Sequence, residues 1–561
     1  MVTGLRPGLL GAIVTESAWR ALPAGLLLAA AVLLGGGSHS GFLADTILQL
    51  IAVVVLLSSL SQWPSGAQDR RPYLEWGFCA ALLFIPALQL LPLPPALWTG
   101  LPGADYRLSA LALIHREAGW AQLTLQPGNT WLSLAAFVPP LSMFLATLTL
   151  GHRERRIATM IFLAVGVFSA VIGLAQVAQG PNSPLRPYPL TNPTEAVGFF
   201  ANRNHFAALI NVLLPFVTVW TVRMIAKAGE EKQLRRDDWA FDAQSAIAAI
   251  VGFTVLVALL AAEAMARSRA GLGLAIVSLA ACYAVTWTRK SAEDRKSRGR
   301  TSSRLVLGAI SIAGLLITQF ALYRILDRFE QDPLKDARVV FGERTYEAAM
   351  AYMPWGSGLG SFVSLYAARE QPQDALVDTF ANHAHNDFLE LWLETGILGL
   401  AALAVYVCWW VWRSYGAWRG AALGGEAIDH WLARASGFAI LLLLLHSAVD
   451  YPLRTGCGMV VFAFASALLV PPLRPTPVAE RVHVGSQRRE RSPAPHHVAR
   501  EDAPDAPWAP EKPSPVVAQA PGVPWTPDAE WPDAWTKPPE ANPVTGLRHR
   551  SRRPKPPEDA N

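Results

Sequence analysis

Charge is scarce in this chain. Asp, Glu, Lys and Arg make up 16% of its 561 residues, while hydrophobic residues make up 52%. That is too little charge to cover a soluble protein of this length. Cysteine is scarcer. Cys79, Cys282, Cys408 and Cys457 are the full set, each lies in or beside an apolar run, and none has a partner at metal or disulfide spacing. A disulfide framework and a thiolate zinc site are thereby excluded. A strong net charge is missing too: the formal value is +5, spread over loops, which speaks for membrane topology and against a nucleic-acid surface. The glycine-rich stretch Gly356-Ser-Gly-Leu-Gly360 is no dinucleotide loop, because a Pro-Trp turn and not a strand precedes it.

What the chain does have is apolar blocks of about 20 residues, long enough to cross a hydrocarbon core of about 30 Å. No water is available there, so each block is expected to be a helix satisfying its own backbone. Helices are expected near 21–36, 42–62, 73–94, 130–150, 157–178, 205–225, 244–265, 271–287, 305–323, 388–412, 433–450 and 457–473. The first follows Arg6 and Arg20 like a secretory signal, but the many spans after it make it a retained helix. The fold class is therefore all-α, a polytopic membrane protein of about twelve spans.

Alternate loops differ in basic residues. Arg70 and Arg71, then Arg153, Arg155 and Arg156, then the group from Arg223 to Arg236, then the run from Arg289 to Arg304 mark one side. Excess Lys and Arg marks the cytoplasm, which puts both termini inside and segments 95–129, 179–204, 266–270 and 324–387 outside. The long loop 324–387 should carry a short amphipathic helix over Arg344–Met353. Residues 1–474 then form the membrane domain. From 475 to 561 the composition turns to Pro, Ala, Asp, Glu and Arg without apolar periodicity, so this tail cannot bury enough surface to order itself. It reads as a disordered cytoplasmic tail, and its Pro-Trp and Trp-Pro steps offer a place for a protein partner.

Polar groups at the outer membrane face are costly unless used. Ala381-Asn-His-Ala-His-Asn-Asp-Phe-Leu-Glu390 opens the tenth helix, and a neutral His385 there could take a proton from a sugar hydroxyl. Asn386 is placed to cap that helix. Gly396 and Gly399, one turn apart, are expected to let another helix come close. His383, His385 and Asp387 suggest a metal only superficially, since no fourth ligand or second shell is visible. Arg267 and Arg269, in a turn with almost no loop around them, should face something anionic, since guanidinium binds phosphate oxygens in a fork. Arg344, in Phe341-Gly-Glu-Arg-Thr-Tyr346, would be a third such group, unless it pairs with Glu343 or Glu347. Two further patches, Gly198–Phe206 with Arg203 and His446–Arg454 with Asp450 and Arg454, reach the same face. Asp450 and Arg454 are close enough in sequence to pair with each other.

The pattern His385, Asn386, nine residues, Gly396, two residues, Gly399 resembles the signature of the O-antigen ligase and Wzy-type polysaccharide polymerase family. The Ser268-Arg-Ala-Gly271 turn, the long outer loop and Asp450-Tyr-Pro-Leu453 resemble it as well, and the resemblance spans roughly residues 190–475. It implies a twelve-helix GT-C-type fold in a bacterial inner membrane and an inverting glycosyltransferase that needs no metal or cofactor. Its substrates would be an undecaprenyl-diphosphate-linked oligosaccharide and a glycan or lipid acceptor on the periplasmic side. By motif match His385 is the catalytic residue, Arg269 and Arg344 hold the diphosphate, and Arg267 is an alternative to Arg269. Asn386, Arg203, Asp450 and Arg454 complete the candidate substrate-binding set. Polymerising a surface or exported polysaccharide is the leading expectation, and ligation of finished glycan to lipid A core or protein is its alternative. A transporter would need charges deep within its helices, of which the sequence shows few; a scaffold would rest on the tail alone.

Overall fold

The computed structural model describes residues 7–38, 43–63, 72–188, 192–235, 243–285, 308, 337–373, 380–420 and 425–473. The expected helix at 305–323, save Gly308, and the tail from 475 lie outside them. So do parts of the long loop.

Within the described residues, eight helices are long and apolar enough to cross a membrane and three shorter ones are apolar. They fall on the eleven remaining expected spans. In chain order they begin with α1 (Pro7–Leu34), α2 (Leu43–Ser61) and α3 (Tyr73–Gln89). The span expected at 130–150 is α6 (Pro127–Ala136) followed by α7 (Val138–Thr149). Its interruption at Phe137 has a local cause: Pro139 and Pro140 remove the two amides that would continue the ladder, and Leu141 resumes it by donating to Phe137 O. Then come α8 (His152–Gln179), α9 (Arg203–Arg235), α10 (Ala243–Ala266) and α11 (Arg269–Val285).

Between α3 and α6 lie α4 (Pro95–Trp98), α5 (Ala104–Leu113) and a two-stranded antiparallel ribbon, in which β1 (Pro92–Leu93) pairs with β2 (Ala121–Gln122). This ribbon is the one departure from an all-helical chain among the described residues. The long outer loop contributes α12 (Ala337–Ala351) and α13 (Phe362–Ala367), so the helix expected over 344–353 starts seven residues earlier. The last three helices are α14 (Asp387–Arg419), α15 (Ala427–Ser447) and α16 (Gly456–Leu468).

Helix α9 is the centre of the bundle. In its span 83% of the residues are buried, against 22% in α2 and 33% in α10. It packs on α8, α10, α11 and α15, and its Phe206, Ile210, Leu213 and Phe216 are almost fully enclosed. The exposed Leu, Ile and Val of the outer helices are what a lipid-facing surface requires. A second, smaller core forms a cap: Phe341, Tyr352, Phe362 and Tyr366 close over Ala381, Ala384 and Leu393. It fastens α12 and α13 to the start of α14.

The loops sort into two ends. At one end, Arg156 binds Asp429 through Nε and Nη2 at 2.8 and 2.6 Å and Glu426 at 2.8 Å, and Arg223 reaches Glu426 at 2.9 Å. At the other end the segments after α1, before α9, before α14 and after α15 are laced together. Cys457 N donates to Gly35 O, Ala201 N to Gly36 O, and Asn382 Nδ2 to Ser38 O.

Candidate active site

The second end holds the polar groups singled out from the sequence. Asn386 opens α14: its side-chain oxygen accepts from Phe388 N at 3.0 Å and Leu389 N at 3.1 Å, and its Nδ2 donates to Ala448 O at 2.9 Å. This is the expected cap, and it also ties the start of α14 to the turn after α15. His385 stands just before it with φ 51°. Only three described non-glycine residues have positive φ: His115, Arg267 and His385. Two of them belong to the motif positions, and strained backbone of this kind gathers where the surroundings over-determine a side chain's position.

His385 Nδ1 lies 3.0 Å from Asp450 Oδ1. Its ring stacks on Phe341 of α12, with centroids 5.9 Å apart, and meets the edge of Tyr451 at 4.9 Å. Asp450 is completely buried. Beyond His385 it accepts from Asn204 Nδ2 and its own neighbour Tyr451 N, and Arg338 Nη2 stands 3.5 Å away. Burial would raise the Asp450 carboxyl, but the hydrogen bond from His385 and the charge of Arg338 outweigh it and hold the carboxyl well below the usual carboxylate range. An ionised Asp450 can only accept, so in this contact His385 Nδ1 carries the proton and Nε2 is the ring nitrogen left facing away from Asp450.

Asp450 and Arg454 do not pair. Arg454 turns the other way, with Nη1 2.6 Å from Glu394 Oε2 and 3.4 Å from Glu390 Oε1, and Nε 3.6 Å from Asp387 Oδ1. Those three carboxylates lie along one face of α14, one or two turns apart. Burial opposes the charge on Arg454, but they raise its basicity and keep it protonated. Nor do His383, His385 and Asp387 converge on one point. His383 pairs with Glu390, His385 with Asp450, and Asp387 accepts from Ser447.

The arginines form a second group beside the first. Arg203 Nη1 is 3.1 Å and Arg267 Nη1 is 3.9 Å from the same Glu195 carboxylate oxygen. Asn204, next to Arg203, is the residue that reaches Asp450, so the first turn of α9 joins the two groups. Arg269 begins α11 and is exposed. Arg344 sits one turn beyond Phe341 on α12 and pairs with Glu347 at 3.2 Å, one of the two partners foreseen.

Arg338 was not singled out from the sequence, and Phe341 and Tyr451 stood there only as members of longer segments, because their roles exist only through contacts between distant segments. Tyr451 packs against His205, His383 and His385 at 4.6, 4.2 and 4.9 Å. His205 is buried with neither ring nitrogen hydrogen-bonded.

A family model described as O-antigen ligase matches residues 254–404. Residues 254–404 of this helical membrane protein are thus similar to the O-antigen ligase family. The match runs from α10 through the first half of α14 and includes Arg267, Arg269, Arg344, His385 and both signature glycines. Asp450, Arg203 and Arg454 lie outside it. No curated protein matches the chain.

Proposed function

We propose that the chain transfers a glycan from an undecaprenyl-diphosphate carrier to an acceptor hydroxyl at the periplasmic membrane face, and that it polymerises repeat units of a surface or exported polysaccharide. The observation that carries this reading is the 3.0 Å contact between His385 Nδ1 and the buried, ionised Asp450. It equips His385 as a general base, in a family whose members act as glycan ligases or polymerases.

In this scheme the acceptor hydroxyl donates its proton to His385 Nε2 while its oxygen attacks the anomeric carbon. The bond from that carbon to the diphosphate oxygen breaks on the opposite face, so the configuration inverts. The lipid diphosphate departs with the electron pair. Arg344, Arg269 and Arg267 are assigned to the charge that grows on it, because guanidinium groups fit phosphate oxygens in pairs and preorganised charge stabilises a departing anion. Asp450 stabilises the imidazolium left behind. Both substrates are large, so holding them in line supplies much of the acceleration.

The test is the length distribution of polysaccharide in cells lacking this protein, complemented with wild type or with His385→Ala. Single repeat units that grow long again only with wild type mark a polymerase. Long chains that stay on the carrier and never reach an acceptor mark a ligase. The variant should insert normally and lose roughly 10²–10⁴-fold in rate; wild-type chain lengths in that strain would refute the assignment.

A further inference from the structure

His385 does not reach its strained backbone conformation unaided. Glu390, one turn into α14, uses both carboxylate oxygens on the residues just before it. Oε1 lies 2.8 Å from His383 Nδ1, and Oε2 accepts from Ala384 N at 2.9 Å. Asn386, just after His385, is fixed as the helix cap. The chain on either side of His385 is therefore pinned to the first turn of the same helix, and the residue between takes φ 51°.

Glu390 is itself held. Arg454 stands 3.4 Å from Oε1, and the same guanidinium touches Glu394 and Asp387. Those two carboxylates grip other segments. Asp387 Oδ2 accepts from Ser447 Oγ at 2.7 Å and Leu453 N at 3.2 Å, on either side of Asp450. Glu394 Oε1 accepts from Gly360 N at 2.8 Å, in the loop between α12 and α13. One helix face thus fixes the loop that carries His385 and the turn that carries Asp450. The Arg454 charge holds the carboxylates together in the protein interior, where leaving one unpaired would be costly.

We infer that Glu390 is a positioning residue: through His383 and Ala384 it sets where His385 stands against Asp450, and Arg454 holds it in place. The inference rests on His385 being the base. Gln at 390 keeps the shape and an acceptor oxygen for Ala384 N, but its NH2 group can meet His383 Nδ1 only if that ring takes the tautomer in which Nδ1 accepts, and it leaves Arg454 short of one negative charge. A base displaced by about 1 Å loses on the order of 10²-fold in rate while substrate binding is kept.

The experiment compares wild type, Glu390→Gln, Glu390→Asp and His385→Ala, purified in detergent, for kcat, KM for the lipid-linked glycan, the pH profile of kcat and thermal midpoint. Glu390→Gln should lower kcat on the order of 10²-fold, hold KM within a few-fold and shift the pH profile, because the His385 environment changes. Glu390→Asp keeps the charge beside Arg454 but is one methylene short of His383 and Ala384, so it should also lose rate. Full recovery with Asp would mean that only the Arg454 charge counts, and the positioning role falls. Parallel loss of kcat, KM and thermal midpoint would reduce Glu390 to a structural residue. If His385→Ala is dead while Glu390→Gln keeps wild-type kcat, the inference fails alone; if His385→Ala is active, both fail. Should Glu390→Gln not insert, His383→Gln leaves the Glu390–Arg454 pair intact and carries the same test. It should show a smaller fall in kcat at constant KM, and an unchanged kcat would overturn the proposal.

Discussion

Asp450 is charged while fully enclosed, and that combination governs how the site responds to substitution and to pH. A carboxyl held below its ordinary range is ionised throughout neutral and mildly acid conditions. The stability it adds is present above the unfolded carboxylate value and is lost only as pH falls through the depressed folded one. An acid limb of activity near neutrality therefore does not come from Asp450. Asp450→Asn can still accept from His385 Nδ1 but cannot stabilise an imidazolium, and it leaves Arg338 facing a neutral amide. It should lower kcat on the order of 10²-fold or more with little change in KM, measured on purified protein; an unchanged kcat would remove Asp450 from the mechanism. At this scale the sequence was half legible. His385 and Asn386 stand in a contiguous motif. That Asp450 faces His385 and Arg454 faces Glu394 was not visible, because the 450–454 turn sends its two charges in opposite directions and no spacing rule encodes a turn's orientation.

Helix α14 shows why the signature glycines are where they are, and the reason differs from the expected close approach of another helix. The helix is broken at Gly396, with φ 58° and ψ −142°. The carbonyls freed before the break are taken by a loop: Ser357 N donates to Leu393 O and Gly358 N to Glu394 O, both at 2.9 Å. On the far side Ile397 N donates to Pro354 O at 2.9 Å, and Gln89 Nε2 of α3 also reaches Glu394 O, at 2.8 Å. An irregular stretch inside a membrane helix is tolerated only where protein satisfies its backbone in this way. A Cβ on residue 396 would stand 2.0 Å from Pro354 O, and one on residue 399 would meet the Thr395 hydroxyl at 1.7 Å. The neighbours of the two glycines are thus a docked loop and a side chain of the same helix. Gly396→Ala should cost about 1–3 kcal/mol from backbone strain alone, with more from the clash. Gly416, farther along α14, has nothing within 4 Å of a built Cβ, so Gly416→Ala should be neutral or stabilise by about 0.5–1 kcal/mol. Thermal unfolding in one detergent compares the pair; equal midpoints would show that the break at 396 is not under strain. Periodicity announced this helix, but a break repaired by partners from α3 and the α12–α13 loop leaves no local mark.

Across the whole molecule, hydropathy alone located the spans, because in lipid every backbone group must be satisfied within a helix. Less could be read in the outer loops, whose short helices pack by tertiary contact. The grouping of loops is consistent with the alternation of basic residues. Arg155, Arg156 and Arg223, all expected to face the cytoplasm, meet at one end, and His385, Asp450, Arg203 and Arg267 gather at the other. Which end faces outward is testable with cysteine labelling. Cys79, Cys282 and Cys457 are buried and Cys408 is exposed, so a Cys408→Ser background is quiet toward a membrane-impermeant maleimide. Leu113, 83% exposed at the end of α5, belongs to the site end, since its loop is tied to the cap through Leu125 N and Ser357 O. Ala427, exposed at the start of α15, belongs to the end with Arg156. In right-side-out spheroplasts Leu113→Cys should be labelled at once and Ala427→Cys only after permeabilisation. The positive-inside pattern and the proposed reaction require the same result, because a carrier-linked glycan used outside must meet His385 there. The reverse labelling would put His385 on the cytoplasmic side and exclude periplasmic transfer, whatever the geometry of the His385–Asp450 pair.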